Sequence, residues 1–244
     1  MIDFSIIFNG KRPFQEFGEK CILPIISSKA PVSYEIIFGH NTNIEKKYEN
    51  VKFINYGNCS SVESLNMSSS IAKGQCLIYL NDALLIGDSE KDFFQFFEYL
   101  YLTFDHLYAL PKLQISSAPL GDSGSILPCG ENATTFELSK FPTLQGEICR
   151  FPIVTRKTLE KEFSGKIFNP SFIHHWVDNW LGIYCSLLNN PIIEYKPNNF
   201  NFKLSQSPNR IETRRTDSDS YDHYVILKLL ESFNLENPDY TKLV

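Results

Sequence analysis

The sequence predicts an α/β fold with a mostly parallel central sheet flanked by helices, on three observations. The first is a set of short apolar runs at residues 4–8, 34–38, 51–54 and 76–80. They are continuous rather than alternating, the pattern of strands buried on both faces of a parallel sheet. The second is that polar stretches of helical character separate them. Between the third and fourth runs, residues 60–73 carry Val62, Leu65, Ser69 and Ala72 on one face, and Gly74 ends the helix, which makes a strand-helix-strand unit. The third is a hydrophobic content of 43% over 244 residues, ample for a buried core.

The later elements follow in order. Asp88 or Ser89 caps a helix with Phe93, Phe97, Leu100, Phe104 and Leu107 at steps of three and four, a stripe that reads as core packing rather than a ligand box. Residues 114–146, with Gly121, Gly124, Pro128, Gly130 and Pro142, read as irregular structure around a site. A strand at 148–154, a short helix at 156–162, a longer helix at 176–188 and a last strand at 192–195 come next. Residues 198–219 are polar and rich in Ser, Asn and Arg, which predicts a linker or surface loop. The spacing of His223, Ile226, Leu227, Leu230 and Phe233 predicts a helix over 221–233 that packs on the domain or on another subunit, a route to a homo-oligomer. The expected division is one domain over 1–204, in halves 1–113 and 114–204, followed by a polar linker and helix over 205–244.

The composition excludes some functions. A net charge of −5 argues against a duplex nucleic-acid binder, which needs concentrated basic surface. Six cysteines without a C-x-x-C pair indicate neither a zinc site nor a disulfide scaffold, so reduced, mostly buried thiols are expected. The chain starts directly with its first apolar run, without a basic leader or cleavage site. No apolar run nears the roughly 20 residues that span a bilayer. The expected location is cytoplasmic, at most peripheral to a membrane.

In an open parallel sheet, ligands bind at the carboxyl ends of the strands. That rule points to Asn9 and Gly10, to Gly39, His40 and Asn41, and to Asn81, Asp82 and Ala83. At these places the sequence resembles the family 2 glycosyltransferases, inverting enzymes of the GT-A fold. The likeness rests on the turn at Asn9, on Tyr34-Glu35-Ile36-Ile37-Phe38, on Asn66, Ala72 and Gly74 in the helix, and on Leu80-Asn81-Asp82-Ala83 where the family has Asp-x-Asp. Residues 146–156 resemble the family's acceptor-side strand, and His174-His175-Trp176-Val177-Asp178-Asn179-Trp180-Leu181-Gly182 its Glu-Asp helix start.

The resemblance implies a nucleotide-sugar half over 1–113 and an acceptor half over 114–204, with sugar transfer to a glycan acceptor, such as a surface polysaccharide. It assigns Asp178 as the general base. Asn9, His40, Asn41, Asn66, Asn81 and Asp82 fall on the donor side, and Arg150 and Arg156 suit the diphosphate, because guanidinium pairs with phosphate in a bidentate way. Two departures stand out. His40-Asn41 replaces the acidic pair that holds base and ribose, and Asn81 and Ala83 replace two acids of Asp-x-Asp. Asp82, with His174, is left as the candidate ligand for a divalent metal, Mn²⁺ or Mg²⁺, which prefers several oxygens.

Plainer readings stand beside each of these: a helix-start carboxylate for Asp178, a turn residue for Asp82, solvated surface for the arginines and for Lys11 and Arg12. Arg210, Arg214 and Arg215 face Asp217, Asp219 and Asp222 in sequence, which reads as a salt-bridged loop rather than a polyanion site. The eroded acidic motif favours a second reading, a non-catalytic domain of the same fold that binds a glycan, a nucleotide or a partner protein. A nucleotidyltransferase is a third, and Asn9-Gly10-Lys11-Arg12 is too poor in glycine for its phosphate loop.

Overall fold

The four apolar runs become the strands that organise the molecule: β1 (Phe4–Gly10), β2 (Tyr34–His40), β3 (Val51–Asn55) and β4 (Cys76–Asn81). The computed structural model describes residues 2–28, 32–81, 84–86, 114–116, 151–173, 177–178, 180–181, 184, 193–194, 202–204, 221–222, 224–226 and 228–229. Among these, α1 (Gly18–Ser27) follows β1 and α2 (Ser61–Ile71) follows β3. Beyond β4 come β5 (Leu84–Ile86), β6 (Gln114–Ser116), β7 (Phe151–Thr155), α3 (Arg156–Phe163), β8 (Ile193–Glu194) and β9 (Phe202–Leu204).

Among the described residues one sheet runs β3-β2-β1-β4-β7-β6-β8, and β5 pairs with β9 in a second. The pairs β1·β2, β1·β4, β2·β3 and β6·β8 are parallel, while β7 runs antiparallel to both neighbours. This is the mixed α/β, mostly parallel layout that the apolar runs predict.

Both faces of the sheet are covered, which is why the strands read as unbroken apolar runs. On one face Ile7, Ile37, Leu77, Tyr79 and Val154 pack with Val62 of α2, with Leu159 and Phe163 of α3, and with Trp180, Leu181, Tyr184, Val225 and Ile226. On the other, Ile6, Phe8, Ile36, Phe38, Ile78 and Leu80 pack with Phe14 and with Cys21, Ile22 and Ile25 of α1. The helical residues 225 and 226 thus bury their apolar face in this chain's own core.

Burial on both sides leaves hydrophobicity a weak guide to register, because a one-residue slip still buries apolar groups. Polar pairing supplies the discrimination. Ser5 stands opposite Glu35, and its hydroxyl donates to Glu35 Oε1 at 2.8 Å. Lys52 Nζ donates to Oε2 at 2.6 Å, the Lys73 N–H to Oε1 at 2.5 Å, and the Gly74 N–H to Ser5 Oγ at 2.7 Å. A Cβ on Gly74 would sit 2.4 Å from the Ser5 nitrogen, so only glycine lets the chain approach β1 this closely. Glu35 is only 3% exposed. Burial pushes its carboxyl up, but the bonds from Lys52, the Lys73 N–H and Ser5 outweigh this and hold it below the usual value.

α2 is rich in serine, yet it packs closely. Its N-terminus is a capping box in which Ser60 Oγ accepts the Glu63 N–H and Glu63 Oε2 accepts the Ser60 N–H. Buried hydroxyls find partners: Ser64 donates to Ser61 O, Ser68 pairs with the Tyr56 hydroxyl at 2.7 Å, and Ser69 with that of Tyr79 at 2.8 Å. The helix α3 starts at Thr155, whose hydroxyl accepts the Thr158 N–H, and ends where Ser164 and Gly165 turn left-handed (φ 51° and 80°).

Two expectations need correction. Residues 114–116, read as the start of a loop, form β6, and 202–204, read as linker, form β9. The helix α1, in one of the stretches of helical character between the strands, contains Pro24. The two strands are three residues long, too short for any period, and arise from pairing with β7, β8 and β5. The helix and aromatic stripe expected from residue 88 lie outside the described residues, as do residues 117–146. No helix among the described residues is long and apolar enough to cross a membrane.

Candidate functional site

The carboxyl edge of the parallel strands lines up the polar strand ends. Asn9 stands opposite both Gly39 and Asn81, Gly10 opposite His40, and His40 opposite Asn55. Strand alternation then sends Asn9 and His40 to opposite faces. Asn9 goes to the α2 side, where its Nδ2 donates to Ser61 O at 3.3 Å. His40 goes to the α1 side beside Phe38.

His40 is buried, and both ring nitrogens are engaged. The Thr42 N–H donates to Nδ1 at 3.1 Å, so Nδ1 is the acceptor and Nε2 carries the hydrogen donated to Arg12 O at 2.9 Å. The ring ties the turn after β1 to the turn after β2. Asn41, next in sequence, is exposed. The Arg12 guanidinium lies over the Phe17 ring, 4.7 Å from its centroid. Farther along, Lys46 Nζ donates to both Glu19 oxygens, at 2.5 and 2.8 Å, and the Tyr48 hydroxyl joins them, which fastens the β2–β3 connection to α1. The Lys46 bond chiefly holds the Glu19 carboxyl below its usual value.

A second route brings the chain to the same edge. Because β7 is antiparallel to β4, it exits at the amino edge, where α3 begins. The segment after α3 then returns along α2. Asn66, in the middle of α2, donates from Nδ2 to Phe168 O at 2.7 Å and accepts the Phe168 N–H on Oδ1 at 3.3 Å. Asn169 Oδ1 accepts the Ser171 N–H and its carbonyl accepts the Phe172 N–H, which turns the chain. Ile173 O then accepts the Val62 N–H in the first turn of α2. The chain is therefore set down one residue from Ser61, the partner of Asn9. Residues 177, 178, 180, 181 and 184 are helical. Val177, Trp180, Leu181 and Tyr184 are buried while Asp178 is half-buried, so Asp178 lies on the less covered side of the helix.

The structure brings some predicted residues together and separates others. Asn9, His40, Asn41 and the backbone of Asn81 share the carboxyl edge, with Asp178 five residues beyond Ile173. Asn66 has its amide on Phe168. Arg156 is at the opposite edge, donating from Nε to Gly74 O at 2.9 Å and from Nη2 to Ala72 O at 2.7 Å, where it closes the C-terminus of α2. Asp82, Arg150 and His174 lie outside the described residues. Among the described residues no group of three or more His, Cys, Asp or Glu side chains is arranged to hold a metal ion. A groove of about 410 Å³ is lined by Asn66, Ser69, Ser70, Arg156, Leu159 and Lys166, all on or just beyond α2 and α3.

Asp222 lies in the helix expected over 221–233 and is 0% exposed, and its Oδ1 accepts the Ile173 N–H at 2.7 Å. The arginines expected to face it in a salt-bridged loop lie outside the described residues. Its burial could have been read from the sequence, because Asp222 lies four residues before Ile226, on the apolar face of the helix.

No protein-family model matches the chain. No curated protein matches it either. Solved structures do share its fold. S. aureus TarS 1–349 in complex with UDP-GlcNAc superposes with a TM-score of 0.61 at 13% identity, covering 99% of this chain and 69% of that one. The same protein in complex with UDP gives 0.56 at 13%, over 85% of this chain and 61% of that one. A mycobacterial protein gives 0.56 at 14%, over 98% and 76%. The chain spans 61% of the TarS chain that holds UDP. At these identities the likeness shows the fold, the GT-A-type arrangement expected from the sequence.

Proposed function

We propose that the protein is a glycosyltransferase that moves a sugar from a nucleoside-diphosphate-sugar donor to a glycan or polysaccharide acceptor, with inversion at the anomeric carbon. The observation that carries this reading is a fold shared over 99% of the chain with a protein solved around UDP-GlcNAc. The convergence of Asn9, Asn81 and the chain leading to Asp178 on one edge supports it.

In the proposed reaction the Asp178 carboxylate takes the proton of an acceptor hydroxyl. That oxygen bonds to the anomeric carbon from the face opposite the departing nucleoside diphosphate, which leaves with the electron pair of the broken bond. Donor contacts are assigned to Asn9, Asn41, Asn81, Asp82 and Arg150, the last by pairing with diphosphate oxygens. His40 and Asn66 shape the site by holding loops, and Arg156 is left to its carbonyls. Asp82 and His174 are the proposed metal side, for Mn²⁺ or Mg²⁺ bound with the donor.

A second reading, a non-catalytic domain that binds a nucleotide or glycan, is favoured by Asn81 and Ala83 in the acidic motif. Thermal unfolding against a panel of nucleoside diphosphates and their sugars, with and without Mn²⁺, separates the two from a protein that binds neither. A ligand at a hundredfold its Kd adds about 2.7 kcal/mol, or about 5–10 °C. With the donor found, Asp178→Asn is expected to abolish turnover while keeping the thermal shift. Normal turnover by that variant would remove Asp178 from the base role.

A further inference from the structure

We infer that Asp222 is a positioning residue, which sets the chain carrying Asp178 against the donor edge. It makes the C-terminal helix part of the site rather than an appendage. This rests on the reading of Asp178 as base.

Ile173 is the point where the returning chain meets the carboxyl edge, and its side chain is 40% exposed. Hydrophobic burial therefore does little to fix it, and its backbone does the holding. The N–H is taken by Asp222 Oδ1 at 2.7 Å and the carbonyl by the Val62 N–H at 3.3 Å. The first of these is the shorter, and its acceptor is a carboxylate, the stronger kind of hydrogen bond. The ties continue as Ser61 O accepts Asn9 Nδ2, so an unbroken series runs from the C-terminal helix through Ile173 and the first turn of α2 to the end of β1.

Asp222 is itself held, because Val225 and Ile226 seat its helix in the main core. Upstream, the Asn66–Phe168 bonds fasten the chain at mid-helix, five residues before Ile173. Without Asp222, Ile173 would keep only the 3.3 Å bond from Val62. Phe172, Val177 and Trp180 would stay in the core, but the chain between them would lose its stronger backbone tie, and displacement of the base by about 1 Å costs on the order of a hundredfold in rate.

The test compares Asp222→Ala with Asp222→Asn, which keeps an acceptor oxygen for the Ile173 N–H. Hydrogen–deuterium exchange on the intact chain is expected to rise over residues 168–181 in the alanine variant and to stay unchanged in β1, β2 and β4, with the asparagine variant near wild type. With the donor identified by the nucleotide panel, the alanine variant is expected to lose about 10- to 100-fold in kcat with KM for the donor nearly unchanged, and the asparagine variant to recover most of it.

Unchanged exchange at 168–181 in the alanine variant overturns the proposal. So does equal damage from both substitutions, since the charge rather than the Ile173 bond would then be what matters. So does raised exchange with unaltered kcat. If no nucleotide-sugar binds the wild type, the glycosyltransferase reading falls, while the exchange comparison still decides whether Asp222 positions this segment.

Discussion

The two edges of the parallel sheet are both lined with polar residues, and they use them differently. At the amino edge, Ser5, Glu35, Lys52, Arg156 and the N–H groups of Lys73 and Gly74 answer one another within a few ångströms, and two of the three hydrogen bonds that Glu35 accepts come from buried or backbone donors. At the carboxyl edge, Asn9 and His40 reach out to hold chain that arrives from elsewhere: the start of α2 and the turns after β1 and β2. A closed network at one end stabilises and fixes register. The other end gathers three segments around the strand termini, which is what a binding site needs.

The sharpest way to break that contrast is Glu35→Ala. It leaves the buried Ser5 hydroxyl and the half-buried Lys73 N–H without their acceptor, and donors left unpaired away from water cost about 1–3 kcal/mol each. A loss of about 3 kcal/mol is expected, seen as a melting temperature lower by about 6–12 °C, with nucleotide binding unchanged. Weakened nucleotide binding at constant stability would mean that the amino edge is not the purely structural end.

Acid should expose the same network more gently. Since the folded protein holds the Glu35 carboxyl below its ordinary value, its contribution is fully present above the ordinary carboxylate range and fades as the pH falls through the lower folded value. Glu19, lowered chiefly by its bond from Lys46, adds in the same direction. Melting temperatures followed from pH 7 to pH 3 should fall at the acid end. Glu35→Gln, which has no carboxylate to protonate, should flatten that limb; an identical acid limb in the variant would assign it to other carboxylates.

The contrast also explains what the sequence made legible. Four strands were readable because burial on both faces leaves unbroken apolar runs, and the polar carboxyl edge was readable because parallel strands put their carboxyl ends together. Arg156 shows where this reasoning stops. A basic residue just after a strand points to the binding edge only if the strand runs with the rest, and β7 runs against them, so its exit falls at the amino edge. Direction is set by pairing, which no local pattern encodes. Asn66 was expected on the donor side, and in the structure its amide is engaged with Phe168, 102 residues away, a partner no local pattern shows. Short strands such as β6 and β9 owe their existence to neighbours in the sheet. Asp222 fell inside the expected helix over 221–233, but its bond to the Ile173 N–H spans 49 residues and no local pattern encodes it.

The smallest expected effect on stability is the most informative about the carboxyl edge. Asn9→Ala removes a half-buried amide whose bond to Ser61 O is 3.3 Å long, near the limit of useful geometry. Its loss should cost under about 1 kcal/mol, a few degrees at most. Because Asn9 stands between Gly39 and Asn81 at the edge assigned to the donor, nucleotide affinity is expected to fall about five- to tenfold, the worth of about one hydrogen bond. Titrating the nucleotide-dependent thermal shift in wild type and variant measures both quantities in one experiment. A large drop in melting temperature with unaltered affinity would make Asn9 one more internal tie, and the two edges would then differ in geometry but not in role.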